Sequence, residues 1–142
     1  MDAEANREPG SEQEPAVGER RGLELSELSK AMVRLYKEQF GRGPTKAHSA
    51  YAGRDAVLCT LENSFTLAEK SLVRMGEHQR LRDTRMFFQY ATEKEFRETV
   101  EQITGRKVRA FVSGVDVEQD LSTELFYLEP SGQSDEETGE AA

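Results

Sequence analysis

An α+β two-layer sandwich, in which helices pack on one face of a four-stranded antiparallel sheet made of two hairpins, is the architecture this chain predicts. Three observations predict it. Apolar residues recur at three- and four-residue spacing in several segments, which marks amphipathic helices. Two pairs of short β-prone runs are each joined by a polar or glycine-bearing turn, which marks hairpins. The later helical segments lie together between the two pairs, whereas a doubly wound parallel sheet alternates single strands with single helices.

The first helix is read from Leu25, Leu28, Met32, Leu35, Tyr36 and Phe40, a stripe on one face. Gly41 is placed to end it in the left-handed conformation, and Pro44 prevents a restart. The runs 46–52 and 56–62 follow, separated by Gly53-Arg54-Asp55, a turn that suits a hairpin. Thr66 with Glu69 three residues later forms a capping-box pattern, so a helix starts at Leu67. Gly76 interrupts the span 67–88, which reads either as one kinked helix or as two short ones. Thr92 with Glu95 is a second capping-box pattern; it opens a helix with Phe96, Val100 and Ile103 on one face and Gly105 at its end. The second hairpin is read from 107–113, where Val108, Ala110 and Val112 alternate with Arg109 and Phe111, and from 123–128. Gly114 is the expected bulge, and 116–120 the connection. Strand order is left open by the sequence.

The 142 residues allow one modest core. Residues 1–19 carry net charge −5 and residues 131–142 carry −4, so the formal −8 leaves the span between them at +1. We read 1–22 and 131–142 as disordered acidic tails and 23–130 as a single domain, because neither tail has enough apolar surface to offset the entropy of ordering. The longest strongly apolar run is Ala56-Val57-Leu58-Cys59, far short of the roughly 20 residues a membrane helix needs. With no signal-peptide pattern and a single cysteine, the expected compartment is the cytoplasm. Cys59 reads as a buried small hydrophobe, and one cysteine with two histidines leaves no metal-ligand spacing. No metal and no cofactor are expected.

Chemistry concentrates in 74–90, where Arg74, His78, Arg80, Arg82 and Arg85 precede Met86, Phe87, Phe88 and Tyr90. On one continuous helix, Arg74, His78, Arg82 and Arg85 would fall within an arc of about 80°, a cationic stripe able to grip an oxyanion or an acidic surface. The plainer reading pairs Arg80 with Glu77 and Asp83, leaves the other arginines on a solvated face, and puts the aromatics in the core. A second candidate is Phe40-Gly41-Arg42-Gly43-Pro44-Thr45-Lys46, whose glycines expose backbone N–H groups beside cations; a helix C-cap followed by a turn explains it equally. It lacks the GxxxxGK[ST] spacing of a phosphate loop. His78 and Glu77 are weak candidates for a general base, with an ordinary surface histidine as the alternative. A domain at +1 between acidic tails argues against nucleic acid.

The strings 31–44, 75–90 and 103–108 are similar to those of the MpsC-like family of small bacterial proteins, and the resemblance spans about Leu25–Pro130. It implies an association with a sodium-translocating, membrane-potential-generating system linked to inorganic-carbon or cation uptake, and it brings no catalytic residues. The positions it covers include Gly41, Arg42, Gly43 and Pro44, and Gly76, Glu77, His78, Arg80, Arg82, Asp83 and Arg85. The expected function is that of a non-enzymatic soluble accessory or regulatory protein. It docks on a membrane transport protein through Arg42, Gly43, Arg74, Arg80, Arg82 and Arg85. The rival is an enzyme or sensor for phosphate, bicarbonate, a carboxylate or a nucleotide at the same residues. A homodimer is also compatible with the apolar residues of the first helix.

Overall fold

The computed structural model of the chain describes residues 16–131; segments 1–15 and 132–142, which hold most of the acidic tails, lie outside the described residues. The first helix, α1, is Val17–Phe40 and begins eight residues before Leu25. The span 17–22, assigned by composition to the tail, is therefore helical. Two contacts with the first hairpin hold the neighbouring turns: the Tyr51 hydroxyl donates to Glu24 (2.8 Å), and the Arg21 guanidinium lies 4.8 Å from the Tyr51 ring. Once a helix is nucleated by its packed part, propagation costs little per residue. Gly41 ends α1 at φ 81°, and its N–H caps the Lys37 carbonyl, as the sequence predicts.

The strands β1 (Lys46–Tyr51) and β2 (Ala56–Glu62) form the first hairpin, with Gly53 at φ 78° in the turn. Three helices follow: α2 (Leu67–Arg74), α3 (His78–Ala91) and α4 (Glu93–Thr104). Gly76, at φ 76°, separates α2 from α3, so the ambiguous span is two helices. The Thr66 capping box is present with both of its hydrogen bonds. The Thr92 box is absent, because the Thr92 hydroxyl donates back to the Phe88 carbonyl at 2.9 Å and its backbone, φ −92° and ψ 3°, is not in the extended conformation a cap requires. Gly105 ends α4 at φ 71°.

The second hairpin is β3 (Val108–Asp116) and β4 (Leu121–Leu128). The sheet order is β1-β2-β4-β3, antiparallel throughout, so the two hairpins join through β2 and β4. The register irregularity falls between Val108 and Ala110, not at Gly114. Gly114 answers to a close approach instead, since a Cβ there would lie 3.3 Å from Thr123 Oγ1.

Alternation along the strands aims Val57, Cys59 and Leu61 of β2 and Phe126 and Leu128 of β4 at the helices. They pack with Leu28, Met32, Leu35 and Tyr36 of α1 and with Phe96 and Val100 of α4. Burial pushes the Cys59 thiol up to about 11, in keeping with a packing role. A smaller cluster, Phe65, Leu81 and Val117, lies under α2 and α3.

Candidate functional site

Arg85 is the largest fully buried side chain, at 0% exposure. Three elements bring it there. On α3, Leu81, Arg85 and Gln89 recur every four residues and form the buried face. From α2, Glu69 receives Arg85 Nε on Oε2 and Nη2 on Oε1, both at 2.7 Å, a bidentate fork. Arg85 Nη2 also donates to the Ser64 carbonyl at 2.9 Å. The guanidinium carbon lies 3.6 Å from the centre of the Phe40 ring and 4.9 Å from that of Phe65, a desolvated cation–π arrangement. Burial alone would raise the Glu69 pKa, but the hydrogen bonds from Arg85 and from the Thr66 backbone outweigh it and hold the carboxyl below its usual range.

The same cluster clamps the connection from β2 to α2. The Asp120 carboxylate, on a residue at φ 52°, accepts the N–H groups of Ser64 (2.9 Å) and Phe65 (3.1 Å). Glu69 accepts the Thr66 N–H at 2.8 Å, and Arg42 Nη1 donates to the Phe65 carbonyl. The Arg42 loop and the arginine block thus meet around Phe65, Arg42 bonding its carbonyl and Arg85 that of Ser64 while lying over the Phe65 ring. Gly43 is explained by proximity: a Cβ there would lie 3.1 Å from the Val33 carbonyl oxygen.

Beyond Arg85 the interior stays polar. Gln89 Nε2 donates to Ser113 Oγ at 2.6 Å; Ser113 is the partner of Glu124 across the β3–β4 ladder; and the Tyr36 hydroxyl donates to Glu124 Oε2 at 2.5 Å. Burial pushes the Glu124 carboxyl up to about 8, despite the influence of Ser113, the bond from Tyr36 and the field of Arg85, so it is mainly neutral at pH 7. Burial, together with Glu124, raises the Tyr36 phenol as well. Ser64 Oγ, Arg85 Nη1, Gln89 Oε1, Ser122 Oγ and Glu124 Oε1 are buried without a partner. Such atoms suit internal water.

The remaining candidates are at the surface. Arg74 donates to Ser71 Oγ at 2.8 Å, and Arg80 lies 3.6 Å from Glu77 as predicted; Asp83 accepts from Gln79 (2.8 Å) rather than from Arg80. Arg82 is exposed. His78 Nδ1 lies 3.6 Å from Glu118 Oε1, in the β3–β4 connection. The break at Gly76 and the burial of Arg85 mean that Arg74, His78, Arg82 and Arg85 do not form one exposed stripe. The aromatics also depart from the core assignment: Phe87 is 69% exposed, with Phe88 and Tyr90 about 40% exposed. A shallow cleft of about 350 Å³ has Phe65, Val73 and Val117 as its apolar wall and Lys70, Arg74, Glu118 and Asp120 at its edge. Among the described residues no group of three or more His, Cys, Asp or Glu side chains could hold a metal ion, and no helix is long and apolar enough to cross a membrane.

Sequence reasoning passed over Glu69 as a salt-bridge partner, Asp120 as a backbone clamp and Glu124 as a core carboxyl. For Glu124 a signal existed, because it shares strand parity with Phe126 and Leu128. For Glu69 and Asp120 the partners are 16 and 55 to 56 residues away in sequence, and no local pattern joins them.

A four-stranded antiparallel sheet with a helical layer, an interior salt bridge and surface arginines defines an α+β protein with a buried ion pair. The family described as "Na+-translocating membrane potential-generating system (MpsC)" has a sequence model that matches residues 21–130, and the chain belongs to that family. Comparison with curated proteins and with solved structures finds no match.

Proposed function

We propose that this protein is a soluble, non-enzymatic accessory or regulatory component of a Na+-translocating, membrane-potential-generating system, acting at the cytoplasmic side. It docks on its membrane-embedded partner through the outer ridge of α3. Family membership supports the link to the system. The observation that carries the docking surface is the exposure of Phe87. A large aromatic standing in water on a rigid helix, with Arg80 two turns away on the same face, has the make-up of an interface anchor. Arg80, Thr84, Phe87 and Ala91, spaced three and four apart, line the ridge opposite the buried Leu81, Arg85 and Gln89. Arg82 is exposed too, but it projects about 140° round the helix from Phe87 and lies outside the ridge. The matching partner surface is an apolar pocket rimmed by carboxylates.

The test is co-purification from native membranes with tagged protein carrying Phe87→Ser or Arg80→Glu. Recovery of the partner complex should fall at least tenfold while the melting temperature stays within about 2 °C of wild type. Wild-type recovery by both variants would refute the docking surface.

A small-anion site is the second reading, favoured by Lys70 and Arg74 at the edge of the cleft walled by Phe65, Val73 and Val117. A thermal-shift series with bicarbonate, phosphate and small carboxylates at constant ionic strength tests it. A saturable rise in melting temperature that Arg74→Ala abolishes would support it, and a flat series would exclude it.

A further inference from the structure

We propose that the open face of the sheet is where a second copy of this chain docks. The helices cover one face; the outward positions of the four strands form the other. Register places them in four transverse rows. Lys46, Glu62, Leu121 and Asp116 form the first, and His48, Thr60, Thr123 and Gly114 the second. Ala50, Leu58, Leu125 and Val112 form the third, and Ala56, Tyr127 and Ala110 the fourth, with Arg109 over the Tyr127 ring at 5.7 Å.

A one-sided antiparallel sheet normally alternates apolar inward with polar outward residues. Here the third row is apolar across all four strands, and Val112 is 49% exposed. Among the described residues of the four strands, the ionisable groups on this face outside the first row are His48, Arg109 and the Tyr127 phenol. Within the third row itself no polar side chain interrupts the patch.

The arrangement of the rows selects the occupant. A two-fold axis parallel to the strands, passing between β2 and β4, superposes each row on the same row of the second copy with its order reversed. Leu58 then faces Leu125 of the second copy, and Ala50 faces its Val112. In the first row Lys46 faces Asp116 of the second copy, and by symmetry the pair forms twice. Lys46 is largely exposed, 3.9 Å from Glu62, and Asp116 is exposed at the opposite edge strand. One copy thus supplies both the apolar centre and the opposite charges its own image requires.

The area is sufficient. With strands about 4.8 Å apart and outward residues about 6.8 Å apart, the fifteen outward positions cover about 490 Å² per copy, or about 1,000 Å² for the pair. That reaches the lower bound of specific interfaces, so dissociation in the micromolar range is expected. The α3 ridge lies on the opposite side of the molecule, and the inference is independent of its role.

Sedimentation velocity of the full-length protein across the micromolar range tests the proposal. Wild type should show a concentration-dependent monomer–dimer equilibrium. Leu125→Glu should be monomeric throughout with an unchanged circular dichroism spectrum. Because a core-adjacent variant could fail to fold, the edge charges supply a second test: Lys46→Glu should weaken the dimer at least tenfold, and adding Asp116→Lys should restore most of it. A wild type that stays monomeric overturns the proposal, including the case in which hydrogen exchange shows a terminal segment of the same chain covering the face. A dimer indifferent to Leu125→Glu and Lys46→Glu overturns it equally.

Discussion

Replacing Arg85 by Met tests the reading of the interior most directly. Methionine fills much of the arginine stem and removes the charge. Two hydrogen bonds to Glu69 at 2.7 Å, one to the Ser64 carbonyl at 2.9 Å and the ring contact with Phe40 at 3.6 Å disappear together. Glu69, with a side chain 14% exposed, is left charged and nearly buried. Removing one partner of a buried pair costs about 3–5 kcal/mol, chiefly because the other charge is stranded. Taking about 4 kcal/mol and a urea slope of about 1.5 kcal/mol/M, the midpoint should fall by about 2.7 M at pH 7. Glu69 has a depressed pKa in the folded state, so its pair adds stability above the unfolded pKa that is lost as pH falls. Arg85→Met should remove that acid-side loss. The double variant Arg85→Met/Glu69→Gln should cost less than the sum of the single ones, since no charge is stranded. A midpoint shift below about 0.5 M for Arg85→Met would refute the reasoning and return Arg85 to the set of arginines whose loss impairs binding and spares stability.

Three further outcomes are expected. Glu124, with its folded pKa near 8 against 4.5 for the free side chain, keeps in the folded state a proton that the unfolded chain releases. Stability therefore declines as pH rises through that window and levels off above it; Glu124→Gln should flatten the profile and be more stable than wild type at pH 9, as read by urea midpoints. Thr66→Ala removes the hydroxyl that accepts the Glu69 N–H at 3.2 Å, and calorimetry should show a loss of about 1 kcal/mol. Phe87→Ser should leave the urea midpoint within error of wild type, because the ring is mostly in water; a loss above about 1 kcal/mol would place Phe87 in the core and remove it from the docking surface.

Much of the architecture was legible from local signals. Gly41 and Gly105 end their helices in the left-handed conformation, the Thr66 capping box starts α2, and β2 spans the predicted residues. These succeed because their causes lie within four residues of chain: a backbone without a Cβ penalty, or a side chain that reaches its own orphan N–H. The Thr92 box failed although its residues were right, because α3 runs into α4 almost without a break and the hydroxyl bonds backwards. The candidate site was legible in residue type and not in role. Arg42 and Arg85 stood out as anion grips, and both are occupied by partners in their own chain, the Phe65 carbonyl and Glu69.

By itself, the sequence determined the packed part of the first helix, the starts or ends of the others, the two hairpins, the two-layer class and the family, since periodicity and turn chemistry are properties of neighbouring residues; that 67–88 is two helices was left to the structure. Only the tertiary structure decided that β2 and β4 form the centre of the sheet. It also decided that one arginine of the block is buried while its neighbours stay in water, and that a carboxyl on β4 sits in the core. The physical reason is that burial and charge pairing depend on which distant surfaces meet. Glu69 and Arg85 are 16 residues apart, Tyr36 and Glu124 are 88, and it is the packing of α2 on α3 that brings the first pair together and of α1 on the sheet that brings the second.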